Sequence, residues 1–375
     1  MPYKYLHIVS FNIPYPANYG GVIDVFYKLK ALHTAGIKIH LHCYQYDRSE
    51  ASELNEFCES VNYYPRNTSF KSQLSLKPYI VVSRQSDKLL NNLLSDNYPI
   101  LFEGLHSCYY LNNKALQGRI LIYRESNIEH DYYFNLFKSE KNLGRKAFFL
   151  LESLKLKLFQ KQLKYATKML VVSQTDQDYL TLEFPGNEVV YLPSFHGNSE
   201  VKSLPGKGDF VLYHGNLSVV ENDLAAEYLV KEVFNDFSVP LKIAGLNPSE
   251  SLKNLVAGFQ NIEMISNPPQ AEMESLIKNA QINVLVTFQA TGLKLKLLNT
   301  LYNGRWMLVN REMLAGTGLE SLCEIAADAM EMKKKIISFF NTEFDRTQLV
   351  ARTELLQNRF SDEVNALRLI KEVWG

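Results

Sequence analysis

Cysteine is scarce: four residues in 375, at positions 43, 58, 108 and 323. None are spaced C-x-x-C and no histidine cluster completes a zinc pattern, so no structural zinc is expected. A chain this long builds a core without staples, so the thiols read as reduced and the expected compartment is the cytoplasm. Charge of one sign is also missing. Lysine plus arginine and aspartate plus glutamate both number 40, which excludes a surface devoted as a whole to nucleic acid. No window approaches the roughly 18–20 uninterrupted apolar residues of a membrane span. Met1–Ser10 has no charged stretch ahead of a long apolar run and reads as a first strand, not a signal peptide. There is no low-complexity segment and no short repeat.

What remains is an alternation of short apolar runs with longer helical patterns. Tyr5–Phe11 reads as a buried strand, Val22–Ala35 as a helix with Val22, Val25, Phe26, Leu29 and Leu32 on one face, and Ile37–Tyr44 as the next strand. Ile100–Phe102, Arg119–Tyr123 and Lys168–Val172 continue the series. Turn-formers cluster between 193 and 208, where a linker is expected. A second series follows: strands at Asp209–His214, Leu241–Ala244, Ile262–Met264, Ile282–Val286 and Trp306–Asn310, with helices at Asp223–Phe234, Gln270–Asn279 and Leu295–Tyr302. The pattern predicts an α/β chain of two Rossmann-like, doubly wound parallel domains facing across a cleft. The expected boundaries are 1–195, 205–356, and a last helix in 357–375 that crosses back onto the first domain.

Ligands of such sheets bind beyond the carboxyl ends of the strands, so the loops there carry the candidates. Pro14–Gly21 opens the first helix with Gly20 and Gly21, which let a backbone approach an anion at a helix N-terminus. Its spacing is not G-x-G-x-x-G, so a nicotinamide cofactor is not indicated. Thr291-Gly292-Leu293-Lys294-Leu295-Lys296 precedes another helix, and its two lysines make a compact positive site suited to a diphosphate. Glu103 and His106 follow a strand, where a histidine suits hydrogen bonding to a sugar or acid–base work. Arg124–His130, with Asn127 and Glu129, is a polar loop after the next strand. His40 and His42 share a strand face with no third metal ligand and read as structural. Between 138 and 168 nine lysines and arginines stand against Glu140 and Glu152. With its aromatic and aliphatic residues, the basic helix 144–168 suits an anionic membrane surface, or else an ordinary helix with its apolar face in the core.

Taken together, these motifs resemble the retaining glycosyltransferases of the GT-B fold, specifically glycosyltransferase family four, over nearly the whole chain. Pro14–Gly21 is similar to the family's opening loop. Ser126-Asn127-Ile128-Glu129-His130 is similar to a His-Asn-Ile-Glu segment of bacterial members, with Ser126 in place of that His. Tyr213–Leu217, Leu241–Gly245 and Thr291–Asn299 with Gly304 are similar to the donor-binding elements. The resemblance implies transfer of a sugar, with retention, from a nucleotide-sugar donor to a glycan or lipid-linked acceptor in polysaccharide synthesis, with no cofactor and no metal. It implies catalytic roles for Lys294, Lys296 and His106. Donor contacts would come from Gly20, Gly21, Gly215, Asn216, Gly245, Thr291, Gly292, Leu293 and Asn299, and acceptor contacts from Glu103, Arg124, Asn127 and Glu129. Asn216, Glu221 and Asn299 stand where relatives carry Arg, Lys and Glu. These departures leave open a second reading, an inactive partner of another transferase. A sugar-nucleotide epimerase is a third reading, for which no carboxylate pair is evident.

Overall fold

The computed structural model describes residues 4–69, 72, 74–236, 238–288 and 294–375. The chain divides into two compact units. One takes the residues up to Gly197 together with Asp362–Gly375, and the other takes the described residues between Asn198 and Ser361.

In the first unit seven strands form one sheet in the order β3-β2-β1-β4-β5-β6-β7. They are β1 Tyr5–Ser10, β2 Lys38–Gln45, β3 Ser60–Pro65, β4 Ile100–Glu103, β5 Leu121–Arg124, β6 Lys168–Val171 and β7 Glu188–Tyr191. All pair in parallel. Alternation along each strand feeds two cores. Val9, Ile100, Phe102, Tyr123 and Met169 enter one, and Leu6, Ile8, Leu101, Ile122 and Leu170 the other. The second core is closed by the helix Gly20–Thr34, through Val25, Leu29 and Leu32, and by the last helix Asp362–Trp374, through Ala366, Leu369 and Val373.

The second unit repeats the plan with six strands in the order β10-β9-β8-β11-β12-β13. They are β8 Val211–Asn216, β9 Leu241–Leu246, β10 Ile262–Ser266, β11 Ile282–Leu285, β12 Trp306–Val309 and β13 Glu324–Ile325. In both sheets the order reverses beside the first strand of the unit, between β1 and β4 and between β8 and β11. The carboxyl ends of those strands are the switch points where doubly wound sheets take ligands.

Two expectations from the sequence change. The sheets have edge strands the apolar-run pattern misses, β3, β7 and β13, because edge positions are half-buried and mix polar with apolar residues. The turn-rich stretch from Pro193 is not a free linker at its start. Phe195 is fully buried, its N–H donates to Asp24 at 2.8 Å, and the N–H groups of His196 and Gly197 donate to Asp362.

Charge is buried in the first unit as well. Lys28, with no exposed surface, donates to Asp24 at 2.8 Å and to Glu103 at 2.7 Å. Arg124 reaches Asp24 at 3.3 Å and donates to the carbonyls of Leu192 and Pro193 at 2.6 and 3.1 Å. Burial works against the Asp24 carboxylate, but Lys28 and Arg124 outweigh it and hold its pKa below the usual range. This lattice fixes the first helix to the ends of β4 and β5.

Across β1, β2 and β3, side chains form a one-way hydrogen-bond chain. His7 Nε2 donates to Asp96 at 2.9 Å, so His7 Nδ1 accepts from His42 Nε2, also at 2.9 Å. His42 Nδ1 accepts from the Tyr64 hydroxyl at 2.8 Å, which accepts from Asn92 at 2.8 Å. His40 stacks on Tyr98 and sits 5.1 Å from the His7 ring, which agrees with a structural role for His40 and His42. Every link is satisfied with both imidazoles neutral, and burial lowers the pKa of His7 and His42. In the unfolded chain they take protons below about pH 6.5, where the folded chain resists them. Their contribution to stability is therefore complete above that pH and falls away on acidification. Buried Glu125 and Glu129, whose pKa values are raised by burial, act in the opposite sense, so a difference measurement is needed. The loss of stability from pH 7 to pH 5, followed by urea unfolding, is expected to be smaller in His42→Gln by about 2 kcal/mol in all, one imidazole's worth of linkage; equal losses would refute the neutral chain.

Candidate functional site

In the second unit the switch point gathers residues from β8, the loop after it, the end of β11 and the helix Leu295–Asn303. Gly215 and Gly245 lie side by side in register, and a Cβ on Gly245 would fall 2.0 Å from the Gly215 carbonyl oxygen. Glycine is required there so that the two strand ends can approach. After β8 the chain turns through Asn216, whose Oδ1 accepts from the Ser218 N–H and hydroxyl at 3.1 and 2.7 Å. The next helix, Val220–Tyr228, brings Glu221 and Asn222. Glu221 Oε1 accepts from the Thr287 hydroxyl and from the Phe288 N–H at 3.2 Å, just past β11.

Lys296 occupies the first turn of the helix Leu295–Asn303. Its Nζ donates to Asn222 Oδ1 at 3.2 Å and lies 5.3 Å from the centroid of the Tyr213 ring. It forms no ion pair among the described residues. Burial, aided by the charge of Lys294 and opposed by Glu221, lowers its pKa to about 8. The helix is anchored from below. Thr300 Oγ1 donates to the Lys296 carbonyl at 2.8 Å and therefore accepts from His214 Nε2 at 2.9 Å, which fixes the tautomer of that buried imidazole. Burial and the nearby Lys296 depress the His214 pKa to about 3, so it stays neutral. Asn299 is one helical turn on, with Oδ1 3.3 Å from Asn303 Nδ2. Lys294 precedes the helix. Thr291, Gly292 and Leu293 lie outside the described residues. The structure thus brings Gly215, Asn216, Gly245 and Lys296 to one sheet edge.

In the first unit the corresponding edge holds Gly20, Gly21, His106, Asn127 and Glu129. Gly20 and Gly21 open the first helix, which has no side-chain cap, and a Cβ on Gly21 would meet the Phe11 ring at 2.6 Å. Gly104, at φ 69°, turns the chain out of β4, and His106 Nδ1 comes to rest 3.7 Å from Glu129 Oε1. Burial, reinforced by Arg84 and Arg66, holds the His106 pKa well below its ordinary value; burial, opposed by Arg84, raises Glu129 to about 8. Both are neutral near pH 7, so His106 is suited to hydrogen bonding more than to taking a proton. Asn127 is half-buried ahead of the helix Glu129–Ser139.

Glu103 and Arg124 do not join them as acceptor contacts. Both are buried in the lattice around Lys28, where they balance charge and hold backbone carbonyls. A strand-end position alone does not reveal that the neighbouring helix offers an amine to neutralise. Sequence reasoning gave no site role to Thr287, Arg66 or Arg84, which carry no local motif, and none to the Tyr213 ring itself. Among the described residues, no group of three or more His, Cys, Asp or Glu side chains is arranged to hold a metal ion.

The chain has the two-domain GT-B fold. It aligns over 99% of its length, and 99% of theirs, with S. aureus TarM at a TM-score of 0.67 and 9% identity, and with Anabaena Alr3699/HepE, crystallised with UDP and glucose, at 0.65 and 12%. Among curated proteins, one in the cps region of Klebsiella pneumoniae is 26% identical over 356 residues, 88% of this chain and 90% of that protein. No protein-family model matches.

The two buried lysines differ in a way that separates structure from binding. Lys28 has two carboxylates, and Lys28→Met should cost ~3–5 kcal/mol in urea unfolding by leaving them unpaired. Lys296 has none in contact, and Lys296→Met should leave stability unchanged or raise it. A large loss of stability in Lys296→Met would make that lysine structural.

Proposed function

We propose that the chain is a glycosyltransferase that moves a hexose from a nucleotide-diphosphate sugar to a glycan or lipid-linked acceptor, with retention and without a metal, in polysaccharide synthesis. The observation that carries this reading is Lys296: an ammonium at the switch point of the second sheet with no carboxylate in contact. The crystallisation of HepE with UDP and glucose supports the same chemistry in this fold. Lys296 and Lys294 would carry the charge of the leaving diphosphate. Glu221 and Asn222 hold the surrounding loop, and Asn299 replaces a carboxylate with an amide at the ribose. The sugar C1–oxygen bond to the diphosphate breaks through an oxocarbenium-like transition state. The acceptor hydroxyl oxygen bonds to C1, and its proton passes to the departing phosphate oxygen on the same face. His106, neutral beside Glu129, would orient a sugar hydroxyl in the first unit.

Calorimetry with UDP and a panel of nucleotide sugars tests this. A single binding site is expected near pH 7, at least tenfold weaker in Lys296→Ala. It should weaken as pH rises through about 8, because deprotonation removes the charge the diphosphate meets. The absence of any nucleotide binding would overturn the reading, and proton NMR of the first-formed product reads its anomeric configuration.

Membrane docking through the basic helix is the second part of the proposal. In the helix Leu143–Gln160 the core takes Leu156 and Phe159, while Leu143, Leu151, Leu154 and Leu158 are 83, 53, 55 and 66% exposed. The expectation that its apolar residues all serve the core therefore fails for this stripe. Lys157 borders it, and Lys161 and Lys164 follow at its carboxyl end. No helix among the described residues is long and apolar enough to cross a membrane, whereas an exposed leucine stripe edged by cations fits an anionic leaflet. Flotation with phosphatidylglycerol vesicles at low salt should carry the chain upward, and Leu154→Glu/Leu158→Glu should abolish this. A chain that stays at the bottom would retire the idea.

A further inference from the structure

Two arginines of the first unit have no part in the reaction described above. Arg66 follows β3, and Arg84 follows the short helix Tyr79–Val82. Arg84 is 3% exposed. Its Nε donates to the Phe11 carbonyl at 3.0 Å and its Nη1 to that of Ile80, while Nη2 has no partner among the described residues. The Arg66 guanidinium lies 4.6 Å from the Tyr46 ring centroid and 5.2 Å from that of Tyr79. Its Nε donates to Ser83 at 2.8 Å, and its terminal nitrogens have no partner among the described residues.

Neither arginine forms an ion pair there. Burial of Arg84, with the charge of Arg66 nearby, pushes its pKa down to about 10. The nearby carboxyl, Glu129, is neutral and supplies no counter-charge. Three buried polar atoms around this pair also lack hydrogen-bond partners: the Tyr44 hydroxyl, His106 Nδ1 and Glu129 Oε1. Tyr44 has its ring 5.8 Å from the Arg84 guanidinium. Idle buried groups and an unpaired buried cation are each costly, and a guest that accepts hydrogen bonds here would relieve both.

Arg66 also lines an open recess of about 580 Å³ beyond the ends of β2 and β3, with Tyr46, Asp47, Arg48 and Thr68. Asp47 is engaged by Asn12 at 3.0 Å. Arg48 is spent on the carbonyls of Ile13 and Pro16 and on Asn18. That leaves Arg66 as the cation with donors available to a guest in the recess.

We infer that Arg66 and Arg84 form a subsite for an oxyanion, phosphoryl or carboxylate, carried by the acceptor. Assignment to the acceptor rests on the transferase reading; binding of the anion does not. A planar fork suits either group bidentately.

The test uses the full chain carrying Lys296→Ala, which silences the lysine proposed for the donor phosphate. Inorganic phosphate and glucuronate are titrated separately by calorimetry. At least one should bind, and Arg66→Gln added to this background should weaken it tenfold or more. The preferred anion identifies the source as phosphoryl or sugar acid. Arg66→Lys, which keeps the charge but loses the fork, should restore part of the affinity. No binding of either anion, or affinities indifferent to Arg66, would overturn the subsite. UDP binding to the chain with native Lys296 is measured alongside. If UDP binds and the anions ignore Arg66, the subsite alone fails; if the anions depend on Arg66 and UDP does not bind, the transferase reading alone fails.

Discussion

A cation removed from water must find compensation, and the way each buried cation of this chain finds it organises the molecule. Lys28 is compensated within the fold, by Asp24 and Glu103, with Arg124 completing the balance. That arrangement holds the first helix at the end of the sheet where ligands of doubly wound folds bind. Among the described residues, Lys296, the half-buried Arg66 and Arg84 have no carboxylate in contact and lean on dipoles, carbonyls and aromatic faces, with Glu221 acting on Lys296 from a distance. The first group is built for stability, and the second is left in deficit. That deficit falls at the switch point of the second sheet and beside that of the first; Arg352, also buried and without an ion pair among the described residues, differs in that Ser203 and the carbonyls of Gly304 and Arg305 occupy its guanidinium.

The same logic governs the acids. Glu129 beside His106 relinquishes its charge because nothing pairs with it closely. Asp24, in surroundings no wetter, keeps its charge because two cations touch it. Burial alone therefore does not assign protonation; the partners do.

Much of the architecture was readable along the chain. β1, β2, β4, β5 and β6, and most of the second series, are short apolar runs that a fully buried parallel strand requires. β3 and β7 escaped notice because an edge strand is shielded on one side only, and Ser60–Pro65 therefore reads as neither strand nor helix. The lysine pair was legible since a helix opening directly behind a strand is a local pattern. Asp24 and Lys28 were not: spaced four apart on an amphipathic helix they look like solvent-facing charges, and only Glu103 and Arg124, far along the chain, make them internal. Arg66 and Arg84 were silent for the same reason, since their meaning comes from Tyr44, His106 and Glu129 across three other elements.

The helix Asp362–Trp374 belongs to the first unit although it is made after the second. Ala366, Leu369 and Val373 fill the core under Gly20–Thr34, so a nascent chain emerging from the ribosome carries an unsealed amino-terminal half through the whole synthesis of the intervening sheet. Completion of the earlier half awaits emergence of this helix, which makes folding of the two halves order-dependent and leaves an apolar seam open while the second sheet is made.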